Sequence, residues 1–277
     1  MEVQGRRNIQ EEILKTLREI EEKEKIHILL AVESGSRAWG FASPDSDYDV
    51  RFIYVRRPED YLRLDALRDV IEWQLDQVLD INGWDLKKAL IHFQKGNAVL
   101  FEWALSPVVY RSDPMWNEIY RTARGYFSEK TAVYHYYGTA NSTFRQYLTG
   151  EAVRYKKYFY ALRPLLAARF VEAFHSPAPV LFKELMERET GLEEALRQEI
   201  ERVQRIKMAS DEKQMNPQSP AIRDFIVSEL ARQKKLAQQL PDDRNRDWGP
   251  LNERFLETLR AVWGKGFLLK ERNAEIR

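Results

Sequence analysis

The chain has 277 residues, 44% hydrophobic and 31% charged, enough to bury a substantial core in one large domain or two modest ones. With no cysteine and only 4 His, it excludes a disulfide framework, a thiolate zinc site and a histidine-rich metal cluster. The net charge of +1 hides an asymmetry: residues 1–110 carry 15 Lys and Arg against 20 Asp and Glu, and the remainder carries 29 against 23. An acidic first part suits metal ligands and a basic second part suits phosphates, although chance scatter of surface charge would look the same. No run of 18 apolar residues occurs and the charged start M-E-V-Q-G-R-R is no secretory signal, so no membrane span and a cytoplasmic address are expected.

Asn8 is placed to cap a helix over Ile9–Glu24, with Ile13, Leu17 and Ile20 on one stripe. The apolar run from Ile26 to Glu33 reads as a buried strand. Ser34-Gly35-Ser36 then forms a tight turn rich in backbone N–H groups and hydroxyls, and Arg37, Trp39 and Phe41 fall in a short helical piece. Arg37 suits a phosphate or a pairing with Glu33 or Asp45 equally well, whereas Trp39 and Phe41 suit packing. After Ser43-Pro44-Asp45-Ser46 a second strand opens with Asp47 and Asp49. Strand side chains alternate, so these two carboxylates share a face while Tyr48, Val50, Phe52 and Tyr54 take the other. Neighbouring carboxylates repel unless a cation lies between them. Hard divalent ions such as Mg²⁺ accept such oxygen donors, usually along with substrate phosphates. A Gly-Ser turn beside an Asp-x-Asp is therefore a phosphoryl-transfer site in outline.

Arg56–Asp60 ends that strand. From Val70 to Ile81 apolar and polar residues alternate, which predicts strand structure broken into a hairpin near Asp76-Gln77. Asp80, between Leu79 and Ile81, is costly to bury unless paired or metal-bound; Glu72 is the second candidate, and a surface position is open for either. Gly83-Trp84-Asp85 is expected to stop the strand, with Asp85 capping a helix over Leu86–Gln94. Lys95-Gly96-Asn97 separates this from a second apolar helix, Ala98–Leu105, in which Glu102 reads as a buried partner for a basic residue. Helices are expected over Pro114–Tyr126, Ser128–Leu148 and Ala152–Phe174, the last kinked at Pro164. In that third helix Arg154, Lys156, Lys157, Arg163 and Arg169 interleave with Tyr155, Tyr158, Phe159 and Tyr160, which suits a triphosphate or single-stranded nucleic acid, or else a core stripe with snorkelling cations. Ser176–Pro179 reads as a hinge, and the helices expected over Val180–Arg188, Leu192–Met208, Ala221–Leu240 and Leu251–Trp263 carry no chemical signature.

The G-S turn followed by S-D-x-D resembles the signature of the DNA polymerase β-like nucleotidyltransferase superfamily. The longer form G-S-R-A-W-G-F-A-S-P-D-S-D-Y-D-V-R-F-I-Y is similar to a narrower group, the YcgL-like predicted nucleotidyltransferases, some of which are associated with RNA-repair ligases. D-I-N-G-W-D-L-K-K-A-L, E-W-A-L-S-P and K-K-Y-F-Y-A-L-R-P-L-L-A fit the same group, and the resemblance spans roughly residues 9–175. It implies an α+β fold: a small mixed sheet with flanking helices over 1–110, then a mainly helical half over 111–277 that completes the nucleotide site. It further implies metal-dependent transfer of a nucleoside monophosphate from an NTP to a hydroxyl, with RNA as acceptor, Mg²⁺ or Mn²⁺ as cofactor and an RNA ligase as partner. Asp47, Asp49 and Asp80 would be the catalytic metal ligands. Gly35, Ser36, Arg37, Lys156, Lys157 and, more weakly, Arg163 would hold the nucleotide. Transfer to a protein or small molecule, and a non-catalytic nucleotide- or RNA-binding module, are the alternatives.

Overall fold

The computed structural model describes residues 9–43, 45–74, 78–189, 191–209 and 214–264. Helix α1 (Ile9–Glu24) buries Ile13, Leu17 and Ile20 as its stripe requires, and its expected cap, Asn8, lies outside the described residues. Strand β1 (His27–Ser34) carries six consecutive buried residues, the pattern of a strand covered on both faces. A single turn, α2 (Gly35–Ala38), separates it from β2 (Tyr48–Val55). After α3 (Pro58–Tyr61) come β3 (Val70–Gln74) and β4 (Leu79–Asp85), an antiparallel pair whose expected turn at Asp76-Gln77 lies outside the described residues. Strand β4 does not stop at Gly83. It continues to Asp85 because Gly83 leaves room for the Phe52 ring, which would lie 2.1 Å from a Cβ at that position.

Helices α4 (Leu86–Gln94) and α5 (Ala98–Ala104) follow, capped by the carboxylate of Asp85 and the amide oxygen of Asn97, which accept from the N–H groups of Lys87 at 2.7 Å and Val99 at 3.0 Å. Strand β5 (Val109–Ser112) closes a five-stranded sheet in the order β3-β4-β2-β1-β5. The β2–β4 pair is parallel and the other pairs are antiparallel. On one face α1 packs over Val50, Phe52, Tyr54 and Ile81. The other face, with Ile53 and Val55, is covered by α4, α5, α6 (Pro114–Ala123) and, from far along the chain, α12 (Gly249–Trp263). An irregularity in β1 between Ile28 and Leu30 shifts the register and lets adjacent Leu29 and Leu30 both enter this second core.

The helical part is built around α8 (Tyr155–Phe174), packed by α7 (Glu129–Tyr147), α9 (Phe182–Arg188), α10 (Glu194–Ala209) and α11 (Pro220–Gln239). Residues 152–154, expected within the α8 helix, instead form β6 (Ala152–Arg154), paired with β7 (Met215–Pro217). Helix α8 runs unbroken through Pro164, and twelve of its residues are buried, so Tyr158 and Phe159 are core rather than ligand-facing. The fold class is α+β. The division expected at residue 110 is not followed by the packing: it cuts β5, and α12 joins the core of the first part. No helix among the described residues is long and apolar enough to cross a membrane.

Candidate active site

Parallel pairing of β2 with β4 sets Asp49 directly beside Asp80. On its other side Asp49 pairs with Ser34, the last residue of β1, so the Gly-Ser turn leaves the sheet at the same point. Gly35 has φ +62, and a Cβ there would lie 2.2 Å from Asp49 Oδ2. Glycine is required twice over, by backbone conformation and by contact with the carboxylate. Ser36 is buried in the first turn of α2, and Asp47 is exposed just ahead of β2. Burial raises the Asp49 carboxyl above its ordinary range; Arg51 opposes this, Asp80 and Asp47 add to it, and Lys156 lowers it. Asp49 thus feels both of the other acids and, from the first turn of α8, the charge of Lys156. Glu72 sits on β3 opposite Asn82, one strand further from Asp49 than Asp80 is.

Between α2 and β2 several side chains bond the described backbone. Arg37 donates through Nε to the Asp47 carbonyl at 3.1 Å and through Nη2 to the Ser46 carbonyl at 2.6 Å, with its guanidinium 3.7 Å above the Tyr48 ring. These bonds go to the backbone leading into Asp47, and the Arg37 charge also lowers the Glu33 carboxyl. Ser43 donates its N–H to Ser46 Oγ at 2.9 Å, and Lys207 of α10, only 3% exposed, donates to the Phe41 carbonyl at 2.6 Å. From below, Glu33 accepts the Asp49 N–H at 2.8 Å and the Tyr110 hydroxyl. Burial raises the Glu33 carboxyl, against the opposing hydrogen bonds from Tyr110 and the Asp49 N–H.

Trp39 joins this region to the helical part. Its ring lies 5.2 Å from that of Tyr160, and Lys156 and Lys157 lie 5.6 and 5.3 Å from the Tyr160 centroid. Arg163, expected among the phosphate ligands, is placed differently. It is 2% exposed, donates through Nη1 to Glu102 Oε1 at 2.8 Å and through Nε to the Val180 carbonyl at 3.1 Å, and packs 4.8 Å over Trp39. Its unpartnered Nη2 is buried as well. Arg163 is the buried basic partner that Glu102 called for.

The residue that sequence reasoning missed is Arg51, two positions after Asp49 and hence on the acids' face. Its Nη2 donates to Asp49 Oδ1 at 3.1 Å and Asp80 Oδ2 at 2.8 Å. Period-two alternation could have found it. Glu33 could have been flagged as a charge ending an apolar strand, while nothing local marks Lys207. Among the described residues no three His, Cys, Asp or Glu side chains gather closely enough to grip a metal ion. The donor set is nonetheless all carboxylate, reaches solvent through Asp80 and Asp47, and already attracts a cation in the form of Arg51, which is the chemistry a hard divalent ion requires.

Residues 9–257 match the model of a family described as the RNA repair pathway DNA polymerase beta family. The chain is 39% identical over 259 residues to the uncharacterized protein YcgL of Bacillus subtilis (strain 168), covering 93% of this chain and 99% of that protein. A nucleotidyltransferase-like protein from Exiguobacterium sibiricum 255-15, solved as a crystal structure, aligns over 90% of this chain and 80% of its own at 13% identity with a TM-score of 0.28, too loose a superposition to build on.

Proposed function

This chain belongs to the RNA repair pathway DNA polymerase beta family, and on that footing we propose that it is a nucleotidyltransferase that moves a nucleoside monophosphate from an NTP to a hydroxyl on RNA. The observation that carries the reading is the register of β2 against β4, which sets Asp49 beside Asp80 with Gly35 pressed on the Asp49 carboxylate. In the reaction the acceptor hydroxyl gives up its proton, with Asp80 as the base, its oxygen attacks the α-phosphorus, the bond from α-phosphorus to the bridging oxygen breaks, and pyrophosphate leaves. Asp47, Asp49 and Asp80 would hold divalent metal, Mg²⁺ or Mn²⁺, which supplies charge stabilisation for the attacking and leaving oxygens.

The chain's own residues supply the remainder of the site. Gly35 and Ser36 present backbone and hydroxyl groups to the triphosphate at the point where the sheet ends. Lys156 and Lys157, at the start of α8, bring positive charge for the leaving pyrophosphate; the influence of Lys156 on Asp49 supports this orientation. Arg37, Lys207 and Glu33 fix the backbone on either side of Asp47 and Asp49 so that the acids are held before substrate arrives. The family description favours an RNA end as acceptor, and a repair ligase is the partner that such an end implies.

The test is incubation of the full chain with each α-³²P-labelled NTP, Mg²⁺ or Mn²⁺, and a pool of tRNA and oligoribonucleotides. Label on RNA is the expected outcome and identifies the nucleotide. Label on protein or on a small molecule alone would overturn RNA as the acceptor, and no label with any NTP would overturn the reading.

A further inference from the structure

The acidic face contains a cation of the chain's own. Arg51 reaches both carboxylates with Nη2, while Nη1 donates to the carbonyls of Val50 at 3.1 Å and Asp80 at 3.3 Å. Its side chain is 18% exposed, against 31% for Asp49 and 52% for Asp80. The guanidinium thus bridges the two acids that face each other across β2 and β4 and offsets their repulsion. A divalent ion held here would draw on the same two carboxylates, and among the described residues no metal-binding cluster stands ready. Two cations held by one pair of carboxylates repel each other strongly.

We propose that Arg51 is a displaceable counter-cation that competes with the divalent ion for Asp49 and Asp80. The inference rests on the catalytic reading of this face. Without metal, Arg51 keeps the acids paired. Loading the ion expels Nη2 from both carboxylates. A triphosphate assists that exchange, because it adds oxygen ligands for the ion and an anion for the released guanidinium. Arg51 therefore makes the site bind metal weakly alone and well together with nucleotide. It acts as a positioning residue, through the acids.

The experiment measures Mn²⁺ binding to the full chain without nucleotide, by electron paramagnetic resonance of the free ion, for wild type, Arg51→Gln, Arg51→Lys and Arg121→Gln. Arg51→Gln should bind Mn²⁺ about tenfold more tightly, a difference of about 1.4 kcal/mol. Arg51→Lys should gain less, since an ammonium keeps the charge but loses the planar fork. Arg121→Gln, which removes an exposed arginine paired with Glu118 on α6, should shift affinity by no more than about threefold. Equal or weaker binding by Arg51→Gln, or an equal gain in Arg121→Gln, overturns the proposal. A readout independent of variant folding is the Arg51 Nε–H resonance of the wild type, which should move as Mg²⁺ is titrated; an unmoved resonance at saturation also overturns it. Failure of the catalytic reading is distinguishable, because Mn²⁺ binding would then survive Asp49→Ala unchanged.

Discussion

Replacing Gly35 by alanine probes the junction between the Gly-Ser turn and the acids at a single atom. Two costs arise. Alanine at φ +62 enters the left-handed region, at about 1–2 kcal/mol. The new Cβ would also sit 2.2 Å from Asp49 Oδ2, so the carboxylate must swing away by about 1 Å to restore van der Waals contact. Asp49 is tied through its N–H to Glu33 and through Oδ1 to Arg51, so the side chain rather than the strand gives way. A displacement of that size at a reacting centre costs about 100-fold in rate. The variant should thus unfold about 1–2 kcal/mol earlier in urea and transfer label about 100-fold more slowly. Gly138→Ala is the control: Gly138 is exposed within α7 with nothing near its Cβ position, and the change should stabilise by about 0.5–1 kcal/mol and leave transfer unchanged. Transfer by Gly35→Ala at the wild-type rate would refute the close approach of the turn to a working Asp49.

Two further predictions concern residues away from the acids. Arg163→Met should cost about 3–5 kcal/mol by stranding the Glu102 carboxylate, and adding Glu102→Leu should restore part of that loss. A raised KM for NTP with unchanged urea unfolding would instead return Arg163 to the phosphate. Asp85 is buried against the Tyr61 hydroxyl, and burial pushes its carboxyl up to about 6. The folded state then holds a proton that the unfolded chain releases near pH 4, so stability is greatest below about pH 4 and falls as pH rises through about 6. Relative to Asp85→Asn, wild type should lose on the order of 3 kcal/mol across that window. A stability difference that is flat with pH would contradict this placement of Asp85.

Much of the sheet could be read from local pattern. The stripe of α1, the burial of Val50, Phe52 and Tyr54, and the caps at Asp85 and Asn97 follow from periodicity and short-range chemistry. Asp80 was legible as a carboxylate set between apolar strand residues, and the register of β4 against β2 gives it a neighbour. Gly83 reads as a stop in the sequence because glycine in a strand is ambiguous until the side chain that needs the space, here Phe52, is known. Composition suggests a ligand-facing α8, yet Tyr155, Tyr158 and Phe159 are core, and it is Lys156 in its first turn whose charge reaches Asp49. The supports least visible in the sequence are long-range: Lys207 on the Phe41 carbonyl, and Tyr110 on Glu33. Hydrogen bonds between residues this far apart leave no local trace.

The central claim is that the face shared by Asp49 and Asp80 performs nucleotidyl transfer. The most direct measurement is pyrophosphate release with the NTP and RNA identified by the labelling screen, for wild type, Asp49→Asn and Asp80→Asn, each with its urea midpoint. Both variants should lose activity by at least about 1,000-fold, as expected for groups that stabilise charge at the reacting centre. Their midpoints should stay close to that of wild type, because the repulsion relieved between the facing carboxylates is balanced by the ion pair lost to Arg51. Release within a few-fold of wild type by either variant, at an unchanged midpoint, would contradict the account.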